Sequence, residues 1–578
     1  MCMLRKTAKY YKGFRLFVVL TPLLMILEVI ADVIIPTLMG NTINEGVLTG
    51  KIDLVYKNGI YMIIMAILAF LFGGLSTYCG AKAGQGLGRN LRLAVFEKIQ
   101  TFSFANLDKF EVSSLITRLT NDIVVVSNLA RMALRISIRA PFLFLLATIM
   151  AIRINMRLSI VFLIALPVMM LGIMLTMKFG IPKFRKFQTM LDRINARTQE
   201  NLTGIRVVKA FCREEFEKEK FAKQNQDLVK TALNAFNLMI LIMPFMMLVM
   251  YAVIVAVLWF GGNFMLQGGM QAGDLLSFIM YVGQILTSIM ILAMVMMNFS
   301  RAKTSLERIF EVLETKSEFV ESVKQGVLEV ANGEINFHNV SFKYPGNPHF
   351  SLQNINLNIP SGSTVALIGS TGSAKSTLVH LIPRLYDVFD GEISVGGIPI
   401  KDYRISALRN QVAIVLQENT LFSGTIRSNM KWGNPQASDQ EIIRALEISQ
   451  AADFVLNRPE GLSAKVERGG ANFSGGQRQR LCIARTLLKN PKIMIFDDST
   501  SAVDMTTEAK IRKELNKFNP DLTKIIIAQR ISSIQNADQI IVLDNGKISG
   551  TGTHTELLAD NRIYQEIYES QQKGMAAG

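Results

Sequence analysis

The stretch Gly369-Ser370-Thr371-Gly372-Ser373-Ala374-Lys375-Ser376-Thr377 decides how this chain is read. It follows an apolar strand pattern, Thr364–Ile368, and precedes a helical pattern, Leu378–Leu385. Strand, glycine-rich loop and helix in that order form the context of a P-loop. Backbone N–H groups at the helix N-terminus surround phosphate oxygens there, because the unpaired amides and the helix dipole both favour anions. The pattern places Lys375 to reach the β- and γ-phosphates of a nucleotide and Ser376 to ligate Mg²⁺. One position departs from it. The glycine normally found before the lysine is Ala374, which adds a Cβ where backbone approaches phosphate closely.

Working outward, a second strand pattern, Ile493-Met494-Ile495-Phe496, ends in Asp497, an acid placed to hold Mg²⁺. Between the two lies Asn472-Phe473-Ser474-Gly475-Gly476-Gln477-Arg478-Gln479-Arg480. The order P-loop, Gln417, Phe473–Gln477, Asp497, then Ser501-Ala502-Val503-Asp504 resembles the ATP-binding cassette of ABC transporters. The resemblance implies ATP and Mg²⁺ as cofactors. It gives Tyr344, before Pro345, the role of stacking on adenine, and gives Gln417 a contact with Mg²⁺ and a coupling role. Phe473, Ser474, Gly475, Gly476 and Gln477 match the signature motif, with Phe in place of Leu, and Asp504 matches the D-loop aspartate. Val466–Gly470 falls where exporters carry an inter-domain coupling loop. Cassettes of this family pair head to tail, so each signature completes the partner's ATP site.

Two further departures fall in the same site. A glutamate follows the Mg-binding aspartate in the family and polarises the attacking water; here the position is Asp498. The family's switch histidine is replaced by Gln529. With Gln417, these are the catalytic positions that the resemblance assigns. With Ala374 altered as well, the expectation is a heterodimer: this chain's own ATP site is slow, its signature is intact, and a second half-transporter supplies the competent site.

The N-terminal half has another character. Half of the residues are hydrophobic and mean hydropathy is +0.29, too apolar for a typical soluble enzyme, and the excess lies before about Ser300. A spanning helix needs about 20 apolar residues. Six candidates read as spans, near Leu16–Met39, Ile60–Gly80, Ile138–Ile152, Leu158–Phe179, Leu238–Phe260 and Leu275–Met297. Met3–Gly13 reads as an interfacial helix, and the first span as an anchor rather than a signal peptide. Two long polar loops, roughly Lys82–Ser137 and Lys178–Asn237, are rich in Lys and Arg and therefore cytoplasmic. The same rule accounts for the net charge of +16, and no nucleic-acid-binding motif accompanies it.

The expected fold is an α-helical membrane domain, with six transmembrane helices and long cytoplasmic extensions, plus an α/β P-loop NTPase domain of ABC type. The expected boundaries are 1–314 for the membrane domain, 315–332 for a linker and 333–578 for the nucleotide-binding domain. Gln199–Phe211 is similar to the second cytoplasmic coupling region of exporters, and Ser113–Ile123 to the first. Six spans fused before one cassette is the plan of an exporter half in the cell membrane, with its cassette in the cytoplasm. The absence of a protease-like segment before the first span argues against a peptide-processing exporter.

Substrate is less legible. Glu28 and Asp32 share one face of the first span, which suggests a site for a cationic substrate or a buried hydrogen-bonded pair. Methionine clusters at Met243–Met250 and Met290–Met297 suit promiscuous apolar surfaces or ordinary packing. These features point to amphipathic small molecules, with lipid or peptide export, or a regulatory non-pumping subunit, as alternatives. The four cysteines and four histidines are scattered and imply neither a disulfide framework nor a zinc site.

Overall fold

A computed structural model describes residues 6–316, 326–498 and 503–576; the side chains of 293–301, 505 and 573–576 are outside it. Half of the expected linker, residues 317–325, and Ser501 and Ala502 lie outside the described residues, as do the side chains of 293–297 in the second methionine cluster. The chain forms two compact units. One comprises the residues up to Gln100 and Ser113–Glu314; the other comprises Thr101–Val112 and the residues from Thr315.

The first unit is helical. Its principal helices are α1 (Arg15–Asn41), α2 (Ile52–Gln100), α3 (Ile123–Ile154), α4 (Ile160–Thr203), α5 (Ile205–Ala210), α6 (Glu214–Ile240), α7 (Ile242–Leu266) and α8 (Ala272–Glu314). Among the described residues, six helical stretches are long and apolar enough to cross a membrane. With 49 residues, α2 runs about 74 Å at 1.5 Å per residue. That is far longer than a hydrocarbon core of about 30 Å, so the helix continues well beyond the bilayer. Its inner face is built from Gly80, Ala83, Gly84, Leu87 and Gly88, all buried. A Cβ on Gly84 would sit 2.9 Å from the Ser127 carbonyl oxygen of α3, and one on Gly88 2.3 Å from the Ser127 Oγ. Small residues therefore set how closely α2 and α3 approach. The core joins Met25, Val29 and Val33 of α1 to Phe162 of α4, Val253 of α7 and Phe278 of α8. Phe162 and Phe278 stack at 5.6 Å, and the Tyr281 hydroxyl donates to the Val33 carbonyl at 2.7 Å.

The second unit contains two larger sheets. Strands β1 (Ile335–Phe342), β2 (Leu352–Ile359), β4 (Asp390–Val395) and β5 (Ile398–Pro399) form one, in the order β2-β1-β4-β5 with antiparallel pairing. The other contains β3 (Thr364–Ile368), β6 (Val412–Val415), β9 (Ile493–Asp497), β10 (Thr523–Ile527), β11 (Gln539–Asp544) and β12 (Lys547–Gly552). Its order is β12-β11-β3-β10-β9-β6, and every pairing except β11 with β12 is parallel. A small pair, β7 (Gly424–Thr425) with β8 (Lys465–Val466), lies apart from both. The parallel strands are buried on both faces: Ala366 and Ile368 enter one core, Val365 and Leu367 the other. Because β3 and β9 run parallel with only β10 between them, their C-terminal ends open on the same edge of the sheet. Ligands of open α/β sheets bind at that edge.

The short helix Phe104–Asp108 belongs to this second unit, although it lies within the first long polar loop. A reciprocal cap between Ser103 and Asn106 starts it. Asp108 accepts a 2.8 Å hydrogen bond from the Tyr386 hydroxyl, and the Phe104 and Tyr386 rings meet edge-on at 5.9 Å. The segment of this loop that packs on the cassette therefore precedes Ser113–Ile123, the stretch singled out by sequence. Ser113–Ile123 itself sits in the helical unit.

Candidate functional site

The P-loop leaves β3 at Gly369, whose φ is +155°. A Cβ there would lie 2.1 Å from the Leu543 carbonyl oxygen, so only glycine fits. The loop ends at Ala374, the N-cap of helix α9 (Lys375–Leu381), with φ +71° and ψ +28°. This is left-handed backbone, which costs an L-residue roughly 1–2 kcal/mol. The Lys375 ammonium curls over the loop, donating to the carbonyls of Gly369 at 3.0 Å and Ser370 at 2.8 Å and to Ser373 Oγ at 3.2 Å. Burial lowers its pKa, against the opposing fields of Asp498 and Asp497.

Asp497 ends β9 as a buried carboxylate held by two side chains of α9. Ser376 Oγ donates to its Oδ1 at 2.6 Å, and His380 Nε2 lies 3.0 Å from its Oδ2. Asp498 follows with φ +48°. Its Oδ2 accepts a 2.7 Å hydrogen bond from Gln529 Nε2, just beyond β10. Burial raises the Asp498 pKa; Asp497 adds to that, while the Gln529 hydrogen bond and Lys375 oppose it. Tyr344 closes the far end. Its hydroxyl is 3.0 Å from Thr377 Oγ1, and its ring meets Phe342 and Tyr386 edge-on at 5.0 and 5.3 Å. The resulting cleft, about 970 Å³, is lined by Tyr344, Gly369, Ser370, Thr371, Gly372, Ala374, Lys375, Ser376, Thr377, Gln417, Asp498 and Gln529. Its size suits a nucleotide. The Ser376 hydroxyl and the Asp497 carboxylate, with the exposed Gln417 on the same cleft, are the hard oxygen donors that Mg²⁺ takes.

The signature residues do not line this cleft. Ser474 caps helix α10 (Gly475–Leu487), accepting from Gln477 N at 3.3 Å while Gln477 Oε1 accepts from Ser474 N at 3.0 Å. The glycine-rich start of α10 is thus fixed by its own capping box. Phe473 is buried in the core, so an aromatic ring serves where the family has leucine. The Arg458 guanidinium lies 4.5 Å over that ring. Asp504 caps the next helix, Met505–Phe518, and the hydrogen bonds from Thr507 hold its pKa low.

In the helical unit, Glu28 and Asp32 share a partner that the sequence reading missed. Arg139 of α3 donates from Nη1 to Glu28 Oε1 at 2.6 Å and from Nη2 to Asp32 Oδ2 at 2.9 Å. The two acids are therefore not a bare anionic pair open to a cation; one guanidinium bridges both. The available signal was the row Arg131, Arg135, Arg139 at four-residue spacing in an apolar helix. His380 was also missed as a site residue. Its signal was the spacing from Ser376, which puts both on one face of α9.

With the fold and the cleft in place, the relationship to known proteins is direct. The family model for the ABC transporter transmembrane region matches residues 18–290, and that for the ABC transporter matches residues 352–501. The chain belongs to the ABC transporters and joins their transmembrane region to an ATP-binding ATPase cassette in one polypeptide. It is 36% identical to the uncharacterized ABC transporter ATP-binding protein YfiB of Bacillus subtilis, over 98% of both chains. It is 37% identical to an uncharacterized ABC transporter ATP-binding protein of Mycobacterium tuberculosis, over 99% of this chain and 98% of the other. An ATP-dependent lipid A-core flippase of Syntrophus aciditrophicus is 33% identical over 88% of this chain and 85% of its own. A solved bacterial Atm1-family ABC exporter with ATP bound superposes with a TM-score of 0.79 over 98% of each chain; at 24% identity the likeness establishes the fold. The protein is a cell-membrane ATPase coupled to transport, with its nucleotide-binding domain in the cytoplasm, and exporters of this family work as dimers.

Proposed function

We propose that this chain is one half of a heterodimeric exporter of amphipathic small molecules, and that its own ATP site is the slow one. The observation that supports this most is the Asp498–Gln529 pair. The position expected to polarise water carries an acid one methylene short, and its partner is an amide 2.7 Å away. A misplacement of about 1 Å can cost on the order of 10²-fold in rate, and Gln529 cannot supply the positive charge of an imidazolium. In this reading Tyr344 stacks on adenine, the P-loop amides and Lys375 hold the phosphates, and Asp498 orients water. Ser376, Asp497 and Gln417 would hold Mg²⁺, which offsets the charge of the β- and γ-phosphates. Ser474, Gly475, Gly476 and Gln477 complete the partner's site, where a glutamate in the partner drives turnover.

The test is ATPase activity of the purified full chain, alone and with a second half-transporter encoded beside it. The expected result is slow turnover alone and fast turnover together. Robust turnover by a pure homodimer would refute the asymmetric assignment.

A lipid-flipping variant of this reading draws support from two observations. One is the similarity to the lipid A-core flippase. The other is the bridging of Glu28 and Asp32 by Arg139, which removes the main reason to require a cationic substrate. Vesicles containing a headgroup-labelled lipid separate the two: ATP-dependent loss of label from one leaflet marks flipping, and its absence alongside drug uptake marks small-molecule export.

A further inference from the structure

Asp497 is held from two sides by one helix face. Ser376 and His380 stand four residues apart on α9, and each engages a different oxygen of the same carboxylate, at 2.6 and 3.0 Å. The Asp497 side chain is 2% exposed, so no bulk water competes for Oδ2. Ser376, in the P-loop, accounts for Oδ1. Nothing in the ATP-site reading accounts for the other oxygen, or for a histidine on it.

We propose that His380 is a positioning residue. It donates from Nε2 to Oδ2 and so fixes the rotation of the Asp497 carboxylate, leaving Oδ1 and the Ser376 oxygen together on the side where Mg²⁺ binds. A carboxylate with one free oxygen can rotate about its Cβ–Cγ bond, and the broad torsional well of that bond resists this weakly. A donor on Oδ2 removes the freedom and keeps the buried oxygen from going unpaired. A ligand set arranged before the cation arrives forfeits less on binding. His380 therefore acts on the Mg²⁺-dependent part of nucleotide binding and leaves the metal-free part to the P-loop and Tyr344.

The inference rests on the assignment of Asp497 to Mg²⁺, and the experiment separates the two. A fluorescent ATP analogue is titrated into the full-length chain in detergent, once with Mg²⁺ and once with EDTA, for the unaltered protein, His380→Leu, His380→Gln and Asp497→Asn. His380→Leu is expected to reduce the affinity gain conferred by Mg²⁺ about tenfold, the size of one lost buried hydrogen bond, while EDTA affinity stays within about twofold. His380→Gln, which retains an N–H at similar reach, is expected to restore most of the gain. Three results would overturn the proposal: an intact Mg²⁺ gain in His380→Leu, an equal loss with and without metal, or a glutamine variant no better than leucine. If Asp497→Asn also keeps the full gain, the Mg²⁺ assignment itself fails. If Asp497→Asn loses the gain and His380→Leu keeps it, only the role of His380 fails.

Discussion

At the scale of single residues, two of the three departures in the ATP site, Ala374 and Asp498, also sit on left-handed backbone. Sequence alone locates the cost of Ala374 in a Cβ crowding the phosphate. The structure adds a left-handed φ of +71°, a conformation that glycine adopts without penalty. Ala374→Gly is expected to tighten ATP binding about fivefold, equivalent to roughly 1 kcal/mol, by removing the Cβ that crowds the phosphate. The melting temperature should change little, because the unfolded chain gains freedom at the same position. Nucleotide titration beside thermal unfolding reads both effects. Asp498 is also left-handed, at φ +48°, but a short polar side chain tolerates this better. Asp498→Glu is expected to raise single-site hydrolysis by on the order of 10²-fold. The measurement is single-turnover release of phosphate in a heterodimer whose other site is disabled. If no gain follows, Gln529 or Ala374 sets the limit.

At the scale of elements, the third span shows where sequence reading stops. Its apolar run seemed to begin near Ile138, yet α3 is helical from Ile123. Arg131, Arg135 and Arg139 interrupt the hydropathy without interrupting the helix. Arg139 is accommodated because its charge is spent on acids of α1, and Arg131 packs its stem beside Gly80 and Gly84 of α2. Such a pairing between elements leaves no mark within either one. The fold of the cassette, by contrast, was legible in the sequence, because a P-loop between strand and helix is a local pattern in which chemistry fixes residue type and spacing together. Glu28 is 6% exposed, and its second oxygen has no hydrogen-bond partner among the described residues. Breaking a buried pair by removing one partner costs about 3–5 kcal/mol. Only Glu28 is buried here, while Arg139 and Asp32 are partly exposed, so Arg139→Leu should lower thermal stability in detergent by less than that full amount. Adding Glu28→Gln and Asp32→Asn should recover most of it, since neutral amides no longer require the guanidinium. A triple variant as unstable as Arg139→Leu would show that the arginine acts through packing instead.

At the scale of the whole molecule, the chain of the helical unit passes through the cassette unit and back. After Gln100 the chain departs the helical unit, contributes twelve residues to the cassette unit, and returns at Ser113. Within the cassette those residues rest on Tyr386, through Phe104 at 5.9 Å and Asp108 at 2.8 Å, and Tyr386 in turn meets Tyr344 at 5.3 Å. Tyr344 is the ring assigned to adenine, so nucleotide arriving in the cleft touches a residue two contacts from a segment continuous with α2. This is spatial connection, and only a coupling measurement turns it into mechanism. Tyr386→Phe with Phe104→Ala removes the hydrogen bond and one ring of the contact while leaving the P-loop intact. In proteoliposomes holding the assembled transporter, the expected outcome is ATP affinity within about twofold of normal with transport per ATP hydrolysed reduced about tenfold or more, since losses of about 1 kcal/mol at each of the two contacts sum to roughly 2 kcal/mol. Equal losses in binding and transport would mean that the tyrosine shapes the adenine pocket and carries nothing onward. Unchanged transport would mean that the twelve-residue segment is passive, and that the second long loop must bear the coupling.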